Sequence, residues 1–192
     1  MATWMTGDSS VFAIESSITR AYERLGQRAL GFFAIYIAGN CYGVRAPEAS
    51  LLACSLDAVQ RRIARRGLHS VSFGADAEAI KLAEAVIATT YDEDTLNATF
   101  FGMSSDEFRH ALQSAELLWA PDGDAAFDDG GHVLQFDVDN QVRLIAFMNP
   151  LSRKDGTSSM AEIWTSAENF YGCLDKWQRQ FEVEWAIQSK NA

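Results

Sequence analysis

Along the chain the apolar positions change period three times, from strand to helix, back to strand, and finally to a long helix. Val11 to Ile14, continued by Glu15-Ser-Ser-Ile18, predicts a short first strand. Leu30-Gly-Phe-Phe-Ala-Ile-Tyr-Ile37 predicts a stronger one, because aromatic and β-branched side chains suit a pleated, buried surface. The polar stretch from Thr19 to Arg28 separates the two. Gly39-Asn40 supplies the left-handed backbone of a tight turn, and Cys41 to Val44 return as the second arm of a hairpin.

The middle of the chain switches to helical spacing. Ser55 is placed to cap a helix, with Asp57 near its positive end, Val59 and Ile63 facing inward, and Gly67 as the stop. Arg61, Arg62, Arg65 and Arg66 crowd its last turn, where solvated cations offset the helix dipole. Asp76 caps a second helix carrying Ile80, Leu82, Ala83, Val86 and Ile87 and running to about Tyr91. Ser104-x-x-Glu107 is a reciprocal capping box that opens a third, through Phe108 and Leu112 to about Leu117. Strand spacing returns at Val133, Phe136 and Val138, turns at Asp139-Asn140, and continues through Val142, Leu144, Ile145, Ala146 and Phe147 as a second hairpin. After a polar loop from Ser152 to Ser159, Phe170, Leu174, Trp177, Phe181 and Trp185 recur at spacings of 4, 3, 4 and 4 beyond Ser166, on one helical face. Local antiparallel pairs with helices between them predict one α+β domain over residues 1–192, its hairpins packed with helices and closed by a long C-terminal amphipathic helix.

Composition narrows the function. An apolar share of 48% against 22% charged describes a globular chain, and a formal net charge of −10 opposes binding to nucleic acid or to an anionic membrane surface. The charge is segregated: residues 76–140 hold 15 acidic and 2 basic side chains, whereas residues 1–75 hold 5 and 8. Cys41, Cys54 and Cys173 form no C-x-x-C pair and read as buried thiols in a reducing compartment. No secretory signal opens the chain, and the longest apolar run, Ala29 to Ala38, is too short for a membrane helix of about 20 residues. The expected location is the cytoplasm.

Candidate chemistry is sparse. His69, His110 and His132 fall in no metal or nucleophile motif and read as ordinary surface or turn residues, and no phosphate-binding loop is present. The densest cluster runs from Pro121 to Gly131, where Asp122, Asp124, Asp128 and Asp129 offer four carboxylates. A calcium loop counted from Asp122 would need an oxygen ligand where Ala126 stands and a bidentate Glu where Val133 stands, so no metal or cofactor is expected. Turn-making explains Asp and Gly there, yet carboxylates this dense repel one another, and a cationic partner would relieve that repulsion. Asp92, Glu93 and Asp94 extend the acidic segment. Trp119 and Phe127 stand beside the charges as aromatic anchors, although Trp119 fits equally well as core at a strand start.

Five phrases together resemble the immunity protein 42 family of bacterial polymorphic toxin systems: Phe12-Ala-Ile-Glu-Ser16, Arg28-Ala-Leu-Gly-Phe-Phe33 through Tyr42-Gly-Val-Arg45, Arg61-Arg-Ile-Ala-Arg-Arg-Gly67, Trp119-Ala-Pro-Asp-Gly-Asp124 and Leu134-Gln-Phe-Asp137. The resemblance implies a small non-enzymatic protein that binds and neutralises a cognate toxin domain. It brings no catalytic or binding residues, so the interface candidates rest on the acidic segment alone. Two other classes stay open at this level: a cytoplasmic adaptor or scaffold, and a hydrolase working through its carboxylates.

Overall fold

The computed structural model describes residues 3–24, 26–91, 98–119, 125–149 and 160–191. Strand β1 (Thr3–Asp8) pairs antiparallel with β2 (Phe12–Tyr22), which pairs with β3 (Ala29–Ile37), and β4 (Asn40–Tyr42) and β5 (Ser50–Leu51) both pair with β3. β1 was not expected, since Thr-Trp-Met-Thr-Gly-Asp alternates too weakly to signal a strand; it forms because β2 offers it a full register from Ser17 to Phe12. β2 also runs on into the polar stretch, with a register shift between Ile18 and Arg20 that lets it follow β3 to Ala29. Gly31 faces this irregularity, and a Cβ there would collide with the Ser17 carbonyl. The β3–β4 turn is centred on Ala38 and Gly39, both at positive φ, so Asn40 already belongs to the returning strand.

Helix α1 (Leu52–Ala64) starts three residues before the expected cap. Leu51 takes the cap position with no side-chain hydrogen bond, and Ser55 is buried within the helix, its hydroxyl 3.3 Å from that of Ser50. Gly67 does close the segment, at φ 83°. Helix α2 (Ala79–Tyr91) begins beyond Asp76. A two-residue pair, β6 (Thr99–Phe100) and β7 (Met103–Ser104), leads into α3 (Ser105–Ser114), where the capping box forms as expected: Ser104 Oγ accepts the Glu107 N–H, and the Glu107 carboxylate accepts the Ser104 N–H at 2.8 Å. The late hairpin is β8 (Gly131–Val138) and β9 (Gln141–Met148), turning through Asp139 at φ 51°. β10 (Ala161–Ser166), a strand with too few apolar residues to be anticipated, pairs with the other edge of β9. Helix α4 (Ala167–Ile187) starts at Ser166, whose Oγ accepts the Asn169 N–H at 3.1 Å, and β11 (Lys190–Asn191) lies parallel to the end of β2.

Register places the β10–β9–β8 sheet between two cores. Val133, Val142, Leu144 and Ala146 join a large core with β2, β3, α1 and α4. Leu134, Phe136, Ile145 and Phe147, one residue out of phase, join a second core with α2, α3 and Phe73. Because side chains alternate across a strand, a strand buried on both faces reads as a nearly continuous apolar run, which is why Val142 to Phe147 shows little polar alternation. Phe170, Leu174, Trp177 and Phe181 all bury in the large core, and Trp185 packs partly against it. Trp177 also donates its indole N–H to Ser16 Oγ at 2.9 Å and meets Phe33 edge-on.

Of the three cysteines only Cys173 is buried; Cys41 is half-buried, and Cys54 is exposed because it faces outward from α1. No helix among the described residues is long and apolar enough to cross a membrane. Because Trp177 fills a fully buried site, Trp177→Ala should lower unfolding free energy by about 3–5 kcal/mol. Val183→Ala on the exposed side of the same helix should stay within about 0.5 kcal/mol, both measured by urea denaturation.

Candidate functional site

The most connected polar constellation lies where the two cores meet. Helical spacing from Ser55 and Val59 puts Arg62 on the inward face of α1, and it is only 4% exposed. One terminal nitrogen donates to Gln135 Oε1 at 2.9 Å and to the Glu116 carbonyl at 3.0 Å; the other donates to the Leu118 carbonyl. Its guanidinium carbon sits 4.3 Å from the centroid of the Trp119 ring. Gln135 then donates to Tyr171 Oη at 2.8 Å and to Asp137 Oδ1 at 3.2 Å. Tyr171 donates onward to the Asp137 carboxylate, which also accepts the Gly67 N–H at 2.7 Å and the His69 N–H at 3.3 Å. Burial pushes Arg62 down to about 9, so it stays charged at neutral pH, and burial together with Asp137 pushes the Tyr171 hydroxyl up.

Two expectations are corrected here. The arginines of α1 are not simply solvated: Arg65 pairs with Glu116 at 3.2 Å and donates to the Ser114 carbonyl, and Arg66 lies over the Tyr171 ring. α3 ends at Ser114, so the carbonyls of Ser114, Glu116 and Leu118 lack helical donors, and the neighbouring arginines supply them. His69 is not a surface turn residue but has 0% exposure. Its Nδ1 lies 2.9 Å from the Ala115 carbonyl, which only accepts, so Nδ1 carries the proton and the buried Nε2 is left without a donor. Desolvation, then Arg62, hold His69 below its ordinary pKa. A signal for these residues existed in the alternation of β8, where Gln135 and Asp137 share a face with Val133, and in the Ser55–Val59–Arg62 stripe of α1.

The acidic candidates divide. Asp92, Glu93, Asp94, Asp122 and Asp124 lie outside the described residues. Asp128 is exposed. Asp129 is engaged locally, accepting the Gly43 N–H at 2.8 Å and the Gly131 N–H at 2.9 Å, so it ties the loop to the end of β4. Trp119 and Phe127 are 4% and 8% exposed and pack in the large core, the place left open for Trp119. An aromatic group exposed on this side is Tyr91, 48% exposed, whose hydroxyl lies 3.4 Å from His132 Nε2. Tyr91 ends α2 immediately before Asp92, and His132 follows Asp128 by four residues, so the described ends of the two acidic stretches meet. Asp76 and Glu78 just before α2, Glu84 on α2, and Asp106 and Glu107 on α3 are exposed, while Lys81 and Arg109 pair within their own segments with Glu78 and Asp106. A separate buried carboxylate, Glu15, accepts from Tyr36 at 2.7 Å and Arg45 at 2.8 Å on β2, β3 and the segment after β4. No group of three or more His, Cys, Asp or Glu among the described residues could hold a metal.

Comparison with known families finds that the family model described as Immunity protein 42 matches residues 1–180. The chain belongs to the immunity protein 42 family. Three of the family-like phrases carry parts of the buried assembly, with Arg62, Trp119, and Gln135 together with Asp137. The crystal structure of CdiI from Burkholderia dolosa is similar in fold, with a TM-score of 0.54 at 14% identity, covering 92% of this chain and 99% of that one. No curated protein matches the chain.

The His69 environment sets a pH dependence for this immunity protein 42 family member. A folded-state pKa held below the unfolded value means that the unfolded chain binds more protons as pH falls through about 6.5, so stability is present above that pH and declines below it. The urea midpoint should therefore fall between pH 7 and pH 5, and His69→Gln should flatten that decline; an unchanged slope would remove His69 from the account.

Proposed function

We propose that this chain is a non-enzymatic immunity protein that binds and neutralises a cognate bacterial toxin domain in the cytoplasm, using an acidic surface from the middle of the chain. The observation that carries the reading is the family match over residues 1–180. The acidic surface is supported by the placement of Asp76, Glu84 and Asp128, which are exposed and make no ion pair among the described residues. Asp122, Asp124, Asp92, Glu93 and Asp94 belong to the same proposed surface by sequence. Asp129 contributes by holding the loop, and Trp119 and Phe127 by supporting it from the core. Tyr91 supplies the exposed aromatic group that a small set of desolvated contacts needs.

Such a surface attracts a cationic toxin face before contact, and the attraction weakens with salt. Inhibition then requires no chemistry from the immunity protein, only occupation of the toxin's active site or of its substrate approach. The direct test is co-purification with the toxin domain encoded beside it, together with protection of cells that express that domain. Absence of both would end the proposal. If the surface is right, Asp76→Lys/Glu84→Lys/Asp128→Lys should slow association at least about tenfold at low salt, with a smaller effect at high salt. Tyr91→Ala should weaken binding about tenfold, mainly through faster dissociation.

A further inference from the structure

Beside the buried network, the outer side of α1 and the segment after α3 enclose an open cleft of about 360 Å³. Its apolar walls are Ala58, Leu112, Leu118 and the Trp119 ring, and its polar lining is two cations, Arg61 and Arg62, with Gln113 and Glu116. This local cationic character contrasts with the net charge of −10 carried by the whole chain. The cleft's carboxylate, Glu116, pairs with Arg65 at 3.2 Å and also stabilises the Arg62 charge, which leaves the cleft lining with two cations against one carboxylate. Arg62 is 4% exposed and is met by carbonyl and amide oxygens, with no carboxylate in hydrogen-bond contact. Arg61 is exposed and makes no ion pair among the described residues. The buried indole N–H of Trp119 has no acceptor. Two cations beside apolar walls that enclose a volume typical for small ligands define the chemistry of an occupant: a flat or aliphatic body and one anionic head.

We propose that this cleft is a binding site for a small aromatic or aliphatic carboxylate, its body between Leu112, Leu118 and Trp119 and its carboxylate toward Arg61 and Arg62. The site lies on the arginine-bearing helix α1, and its occupancy does not depend on the toxin-binding reading.

The test uses the full chain and two probes of matched shape, 1-naphthoate and the neutral 1-naphthalenemethanol, titrated by fluorescence and by chemical-shift perturbation. Saturable one-to-one binding of naphthoate is expected, with the alcohol at least tenfold weaker. Arg61→Glu, at an exposed position, should weaken naphthoate at least tenfold while leaving the urea midpoint near that of the parent chain. Ala58→Phe, which fills the cleft from α1, should abolish binding of both probes. Arg62 is left intact because its removal would disturb the fold. Absence of saturable naphthoate binding, equal affinity for the two probes, or indifference to Arg61→Glu would each overturn the proposal.

Discussion

A guanidinium taken out of water costs several kcal/mol unless its donors are met, and Arg62 is only 4% exposed. Its partners come from two parts of the chain: the segment after α3, with the carbonyls of Glu116 and Leu118 and the face of Trp119, and the Gln135 amide on β8. Gln135 passes the demand to Asp137 and Tyr171, which brings in α4 and the loop after α1. An apolar contact tolerates slippage, whereas each of these hydrogen bonds fails if its partner moves by about an ångström. The network therefore fixes how the α2–α3 layer sits against the larger body, a relation that two greasy interfaces alone would leave loosely specified. Every element flanking the junction is placed by it.

The same junction explains how opposite charge tendencies coexist in one small fold. The β10–β9–β8 sheet separates a core built with residues 1–64 and α4 from one built with α2 and α3, and the exposed acids of residues 76–107 belong to the second. Lys81 and Arg109 answer acids within their own segments, and the Glu107 carboxylate is used in its capping box. Self-repulsion is thus spread over a layer whose core is held by Phe73, Phe108 and Phe136 ring contacts instead of by charge. Of the arginines at the end of α1, Arg62 and Arg65 donate to backbone carbonyls and Arg66 lies over the Tyr171 ring, while Arg61 stays exposed.

Much of this architecture was legible because local physics decided it. The capping box at Ser104 and Glu107, the turn at Asp139, the β3 run and the buried face of α4 each follow from contacts within a few residues. What was not legible depends on long-range partners. β1 and β10 are strands because neighbouring edges accept them, α1 begins at Leu52 without a side-chain cap, and His69 is buried because Asp137 and Ala115 enclose it from more than 40 residues away. The acidic cluster was visible as composition, but composition does not distinguish Asp128, which faces solvent, from Asp129, which is consumed by two backbone N–H groups. Trp119 and Phe127 take the core, the alternative left open for Trp119, because large rings next to charges in sequence are accommodated by pointing away from them.

Charge and affinity then play different roles on the acidic side. At physiological salt an exposed carboxylate is felt over about 8 Å, enough to bias approach and orientation but worth little once contact is made in high dielectric. Durable binding needs groups that lose water on contact, and among the described residues of this region Tyr91 combines exposure with a fixed neighbour, His132, itself stacked on Phe147 of the second core. A ring already held against a rigid strand loses less side-chain entropy on binding than a free one, so its area counts more fully toward affinity. In the proposed toxin-binding surface, Tyr91, at the end of α2 and beside the start of β8, is the preorganised ring next to exposed carboxylates that would steer a cationic partner.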